Sequence, residues 1–191
     1  MAFFDKLKNQ EITAAAGAVR DVVSGIGCKT EKIVFMDIPE TMEAFRTLPQ
    51  AALSTPFETA ALTVAALCVY PADRELCFQM MDYLRGPRTM TGMDKQFIND
   101  RFMDKDYVPR SYFEGSVPDN DYMPDSPYTI IVKSDLHSYD EQGFARLYVR
   151  SGGADDPRMV KLRQAKDGKW YLWEQSLLMG IRQPESGNPW L

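Results

Sequence analysis

The chain has 191 residues but only one histidine and three cysteines. A Ser-His-acid or Cys-His nucleophilic site would have to be built on His137. That residue stands in the polar turn Ser134-Asp135-Leu136-His137-Ser138, and no nucleophile-elbow pattern occurs anywhere in the chain. A histidine-rich metal site is excluded by count. Cys28, Cys68 and Cys77 match no zinc spacing and leave an odd thiol. Cys68 and Cys77 fall inside apolar helical patterns and read as packed, reduced thiols, which suits a cytoplasmic protein.

Other absences narrow the reading further. No Gly-x-Gly-x-x-Gly follows a strand and no Walker-type Gly-Lys-Ser/Thr is present, so no nucleotide cofactor is expected. Gly152-Gly153 reads as tight turn geometry between strands. Asp119-Asn120-Asp121-Tyr122-Met123-Pro124-Asp125 groups three carboxylates without the central glycine and closing glutamate of a calcium loop, and reads as a solvated acidic loop. Basic residues are outnumbered, 22 against 27, for a formal net charge of -5. Phosphate contacts need a clustered basic surface, so nucleic-acid binding is not expected. The longest apolar windows, Thr13 to Gly27 and Thr59 to Tyr70, are too short or too interrupted to span a bilayer, and Arg20 and Asp21 sit in the first. Met1 to Lys8 has no long apolar core and no cleavage signature, so no secretory leader is expected.

What is present begins with Asp167-Gly168. It joins two alternating stretches, Met159 to Ala165 and Lys169 to Gln175, and is a strong hairpin signal. An unbroken two-residue hairpin sets Lys161 against Glu174, Leu162 against Trp173 and Arg163 against Leu172. It puts Val160, Leu162, Tyr171 and Trp173 on one face. Lys161, Arg163, Leu172 and Glu174 then share the other. Tyr128 to Ser134 and Phe144 to Ser151 are two further strands, and four such strands make an antiparallel meander. In the second of these, Ala145, Leu147 and Val149 form a core face, opposite Phe144, Arg146, Tyr148 and Arg150. If the core faces coincide, Arg146, Tyr148, Arg150, Lys161, Arg163 and Glu174 share the outer surface. Four cations there suit a small anionic ligand or an acidic partner, unless loop carboxylates such as Asp135, Asp140 and Glu141 neutralise them.

The first half reads as helical. Thr55-Pro56-Phe57-Glu58 carries a cap, a proline at the first helical position and a capping-box glutamate. The run Ala60 to Tyr70 that follows is apolar nearly all round, so this helix should be central. Short helices are expected over 40–48, 73–84 and 92–104, with Phe97, Ile98 and Phe102 as apolar positions in the last. A short β-rich run covers 32–36. Residues 105–127 hold four prolines and form a long irregular connection, which Tyr107, Tyr112, Phe113 and Tyr122 should hold to the body. Among the eleven methionines, Met80, Met81, Met90, Met93 and Met103 read as adaptable core filling or a binding groove. Residues 3–26 read as an amphipathic helix with a seam at Ile12, Ala15, Val19, Val22 and Ile26. Its partner is its own domain, a second copy in a homodimer or another protein. Trp190 in the tail docks on its own domain or on a partner.

The segments Tyr107-Val108-Pro109-Arg110-Ser111-Tyr112-Phe113, Phe144 to Gly153, and Trp170 to Gln175 through Ile181-Arg182-Gln183-Pro184 resemble an uncharacterised family, a domain of unknown function from gut-associated bacteria. The resemblance covers roughly residues 30–191. It implies a bacterial, cytoplasmic, stand-alone protein and supplies no activity or site.

The sequence therefore predicts an α+β protein, a helical N-terminal half packed on a C-terminal antiparallel sheet of about four strands. An N-terminal helix occupies 1–28 and one α+β domain occupies 29–191. Within that domain, 29–104 is helical, 105–127 irregular and 128–183 sheet, with 184–191 a short tail. The expected function is a non-catalytic binding or interaction module without cofactor or metal. The alternative is an enzyme or sensor for a small anion, with Arg146, Arg150 and Arg163 as anion binders and Glu174 as acid or base. Its pocket would lie between the basic face and the 105–127 connection.

Overall fold

The computed structural model describes residues 23–25 and 28–187. Most of the expected 3–26 helix, and its seam, lie outside the described residues, as does Trp190. Within that stretch Val23–Gly25 is not helical. It forms strand β1, pairing Val23 with Thr30 and Gly25 with Cys28. A β-branched residue and a glycine are poor helix formers, and here a neighbouring strand is available to satisfy their backbone.

The sheet is antiparallel with its strands in chain order: β1, β2 (Cys28–Phe35), β3 (Tyr128–Lys133), β4 (Phe144–Val149), β5 (Arg158–Gln164) and β6 (Trp170–Gln175). The expected four-strand meander is β3 to β6. The early β-rich run is longer than its sequence suggests and joins the same sheet beside β3. β3 meets β4 only through Val132 and Lys133. Lower down, Phe113 of the long connection bridges to Ile130, so this connection enters the sheet instead of only lying on it.

Among the described residues four α-helices precede β3. Helix α1 (Met42–Thr47) is capped by Thr41, whose hydroxyl accepts the Ala44 N–H. Helix α2 (Pro56–Cys68) starts at the expected capping box, with the Thr55 hydroxyl accepting the Glu58 N–H and Glu58 accepting the Thr55 N–H. Helix α3 (Arg74–Arg85) is capped by Asp73, and α4 (Gly92–Phe102) by a second capping box, Thr91 with Asp94. Satisfying the orphan N–H groups of each first turn fixes where these helices begin. Helix α2 is buried along all of Pro56–Leu67 and touches β2 to β6, so it is the central helix its composition implies. Thr59 ties it to the sheet by donating to the Trp170 carbonyl at 2.8 Å.

One apolar cluster joins the helices to the sheet, including Ile33, Phe35, Ile130, Val132, Leu147, Val149, Val160, Leu162 and Leu172. Met80, Met81 and Met90 belong to it, whereas Met93 and Met103 are exposed. Phe97 is also exposed, against expectation; it faces Arg101 instead of the core.

The 105–127 connection is held as its aromatics predict. Tyr112, Phe113 and Tyr122 are buried, and the Tyr112 and Tyr122 hydroxyls donate to the carbonyls of Leu177 and Arg182. Gly152-Gly153 is explained by close approach more than by turn geometry. A Cβ at Gly152 would lie 1.8 Å from the Ser116 carbonyl oxygen, and one at Gly153 2.4 Å from the Tyr122 hydroxyl. These two glycines let the long connection rest directly on the end of β4.

Candidate functional site

The outer surface of the sheet depends on the register of β5 with β6. Val160 opposes Gln175 and Lys161 opposes Glu174, as expected. Then the ladder slips: Leu162 opposes Leu172, Arg163 opposes Tyr171, and Gln164 opposes Trp170. Trp173 has no opposite residue, so it is the extra residue of a β-bulge. The expected pairing of Leu162 with Trp173 and of Arg163 with Leu172 is therefore corrected. Leu172 is buried with Leu162, and Tyr171 is half-buried against the end of α3. Trp173 leaves the core face and joins the arginine side.

This places three aromatic and basic side chains of the outer surface together. The rings of Phe144 and Trp173 meet edge to face at 5.5 Å and 81°. The Arg163 guanidinium lies over both, 5.2 Å from Phe144 and 5.0 Å from Trp173. A fourth group was not visible in the strand pattern. Arg88, in the connection after α3, stacks over Trp173 at 4.3 Å. Its carbonyl accepts from Arg85 Nε, and Arg85 is itself engaged by Asp94 at 3.3 Å. The Asp94 carboxyl sits below the ordinary carboxylate range. Partial burial pushes it upward, but the Thr91 N–H and hydroxyl and the Arg85 charge together outweigh that. Asp94 is thus committed to Arg85. Among the described residues neither Arg88 nor Arg163 has a carboxylate within ion-pair distance.

The other expected site residues do not all gather at this point. Lys161 is half-buried; it bonds Glu141 at 2.6 Å and covers the Phe144 ring at 4.4 Å. No Lys161–Glu174 ion pair forms among the described residues, although their Cα atoms are opposite. Glu141 comes from the turn before β4, so a loop carboxylate takes one of the four cations. Arg146 is exposed beside Tyr148, and Tyr148 in turn meets Asp135. Burial, then the Asp135 charge, pushes the Tyr148 hydroxyl up. Burial opposes ionisation of Asp135, yet hydrogen bonds from the His137 N–H, Ser138 and Tyr148 hold it down. Arg150 lies at the far end, at a cleft of about 260 Å³ with Phe113 and Val117. Of the expected site cations, Arg150 is the one that lines this cleft beside the 105–127 connection, and neither Arg146 nor Arg163 lines it. Glu174 is exposed at a cleft of about 170 Å³ that also includes Arg88 and Trp173. The outer surface is therefore an open face with an aromatic–arginine cluster at the β6 end.

His137 is exposed and bonded to Asp140 at 2.9 Å, with no nucleophile in its hydrogen bonds. Cys77 is buried, which pushes its thiol up to about 12, and burial also raises Cys68. Both are inert packing groups at neutral pH. Among the described residues no group of three or more His, Cys, Asp or Glu is placed to hold a metal ion. No described helix is long and apolar enough to cross a membrane.

A model of a domain of unknown function, DUF6935, matches residues 37–185. The chain belongs to that family. The DUF6935 span contains β3 to β6, the bulge and all the candidate residues, and begins just after β2 ends. It is narrower than the 30–191 stretch suggested by sequence. No curated protein and no solved structure matches the chain.

Proposed function

We propose that this DUF6935 protein is a non-catalytic interaction module whose outer sheet face takes an acidic partner. The supporting observation is the arrangement of Arg88 and Arg163 over the one indole of Trp173. Each stacked guanidinium keeps its outward N–H groups for a ligand while the ring holds it in place. An unpaired arginine that is already positioned loses less side-chain freedom on binding than a free one. Arg146 and Arg150 extend the same charge along β4. A basic face on a chain of net charge -5 orients an approaching acidic partner, because the remaining surface repels it.

The reading as an enzyme or sensor for a small anion is less favoured. Glu174 is exposed and the cleft beside it is about 170 Å³, too small and open to exclude water from a reaction. The three cysteines, none in a disulfide, support a reducing cytoplasmic location.

Fluorescently labelled poly-L-glutamate tests the proposal by anisotropy. Wild-type protein should bind it, with affinity falling steeply as salt rises from about 0.05 M to about 0.5 M. Arg88→Ser with Arg163→Ser should weaken binding about tenfold, the scale of two charge-assisted contacts. No binding at low salt, or equal binding by the double variant, would overturn it.

A further inference from the structure

A cleft of about 870 Å³ lies at the opposite edge of the sheet. Val34, Phe35, Ile38, Leu48, Gln50 and Tyr128 line it, between the end of β2 and α1. We propose that it receives an extended peptide segment of a partner protein, which adds a strand to β2. The surface is separate from the arginine cluster, so this inference does not depend on the function proposed above.

Backbone alternation supplies the first argument. Lys29 turns its N–H and carbonyl toward β3, where they meet Ser134 at 2.9 and 2.8 Å. Alternate residues of a strand present their backbone groups to opposite edges, so Cys28, Thr30, Lys32 and Val34 present theirs to the other edge. β1 covers that edge only through Thr30. Among the described residues no strand pairs with Lys32 or Val34 on that side. An open strand edge is a template for another strand.

Gln50 supplies the second. Its side chain is 3 % exposed, and its Nε2 donates to the Val34 carbonyl at 3.3 Å. That is the bond an incoming strand's N–H would make. The Gln50 Oε1 is buried with no hydrogen-bond partner. Buried amide oxygens are nearly always satisfied, so the side chain stands in for half of a missing strand. With Nε2 already on the Val34 carbonyl, an added strand pairs through Lys32 and the Val34 N–H and gives its next N–H to Oε1.

The rim selects the partner. Asp37 and Glu40 stand exposed at the cleft, and no cation pairs with either among the described residues. The floor is apolar, with Phe35, Ile38 and Leu48. The occupant is therefore a segment with apolar side chains at alternate positions and lysine or arginine at one end.

The test uses the full chain and an acetylated octapeptide of alternating valine and threonine ending in two lysines. Binding is followed by calorimetry, and amide exchange of Lys32 and Val34 by NMR. The expected result is slowing of both amides by at least about tenfold at saturation. The same peptide N-methylated on its pairing residues should not bind, and Asp37→Lys with Glu40→Lys should weaken binding about tenfold. Absence of binding at about 1 mM peptide would overturn the proposal. So would Lys32 and Val34 amides that, in the free chain, are already as protected as those of Ile33 and Phe35, because the edge would then be filled from within the chain.

Discussion

The Arg163 guanidinium lies 5.0 Å from the Trp173 ring, yet an unbroken hairpin ladder would put these two side chains on opposite faces of the sheet. The one-residue slip between Lys161 and Leu162 brings them together. A bulge costs one unpaired position and returns a redirected side chain. Here it moves the indole out of the hydrophobic core and under two arginines, while Leu172 fills the core position.

That slip sets the order of two stability losses. Leu172→Ala should destabilise the protein by about 2–5 kcal/mol, as a buried leucine deletion does. Trp173→Ala, although it removes more atoms, should cost only about 1–2 kcal/mol, since it loses a half-buried ring and exposed cation–π contacts. Urea midpoints of the two variants decide it. A larger loss for Trp173→Ala would place the indole back in the core.

The contact of the long connection with β4 has an equally direct test. Gly152 has ordinary backbone geometry, so Gly152→Ala is penalised through space alone; its Cβ would meet the Ser116 carbonyl at 1.8 Å. The loss should be about 1–3 kcal/mol, the range for overpacked sites. Exchange of the Gly152 N–H, which donates to the Ser111 carbonyl at 2.9 Å, should quicken with it. An unchanged melting temperature would show that the connection does not rest on this glycine.

The acid response of the Arg85–Asp94 pair follows from the lowered Asp94 carboxyl. A carboxylate whose folded pKa is depressed stabilises the fold above its unfolded value, about 3.9, and loses that contribution as pH falls through the folded value. Asp94→Asn should therefore lower the urea midpoint at pH 7, and the difference from wild type should narrow once pH drops below about 4. The same gap at pH 3 and pH 7 would mean that the charge of Asp94 contributes nothing.

Much of this architecture is legible in the sequence because its signals are local. The opening of α2 needs only Thr55, Pro56 and Glu58, within a span of four residues, and the meander needs only alternation broken by turns. The core face of β4 followed from Ala145, Leu147 and Val149 alone. The bulge was not legible, because Tyr171, Leu172 and Trp173 are all apolar and either parity fills a core. Arg88 was invisible for another reason. Gly86-Pro87 marks a helix stop, but nothing nearby says that the next side chain reaches a strand distant in sequence. Gln50 carries no pattern either, and its significance arises only when α1 and β2 close around it. The pairing of β2 with β3 carries no local signal, because the two strands are far apart in the chain.

Because Trp173 faces no residue on β5, it is a removable insert. Shortening β6 by that single position would let the two strands zip without interruption and would still leave Leu172 against Leu162. The fold would keep its interior and lose the platform under both guanidiniums. Evolution or engineering can therefore switch the arginine cluster on or off by one codon, with no redesign of the scaffold beneath it.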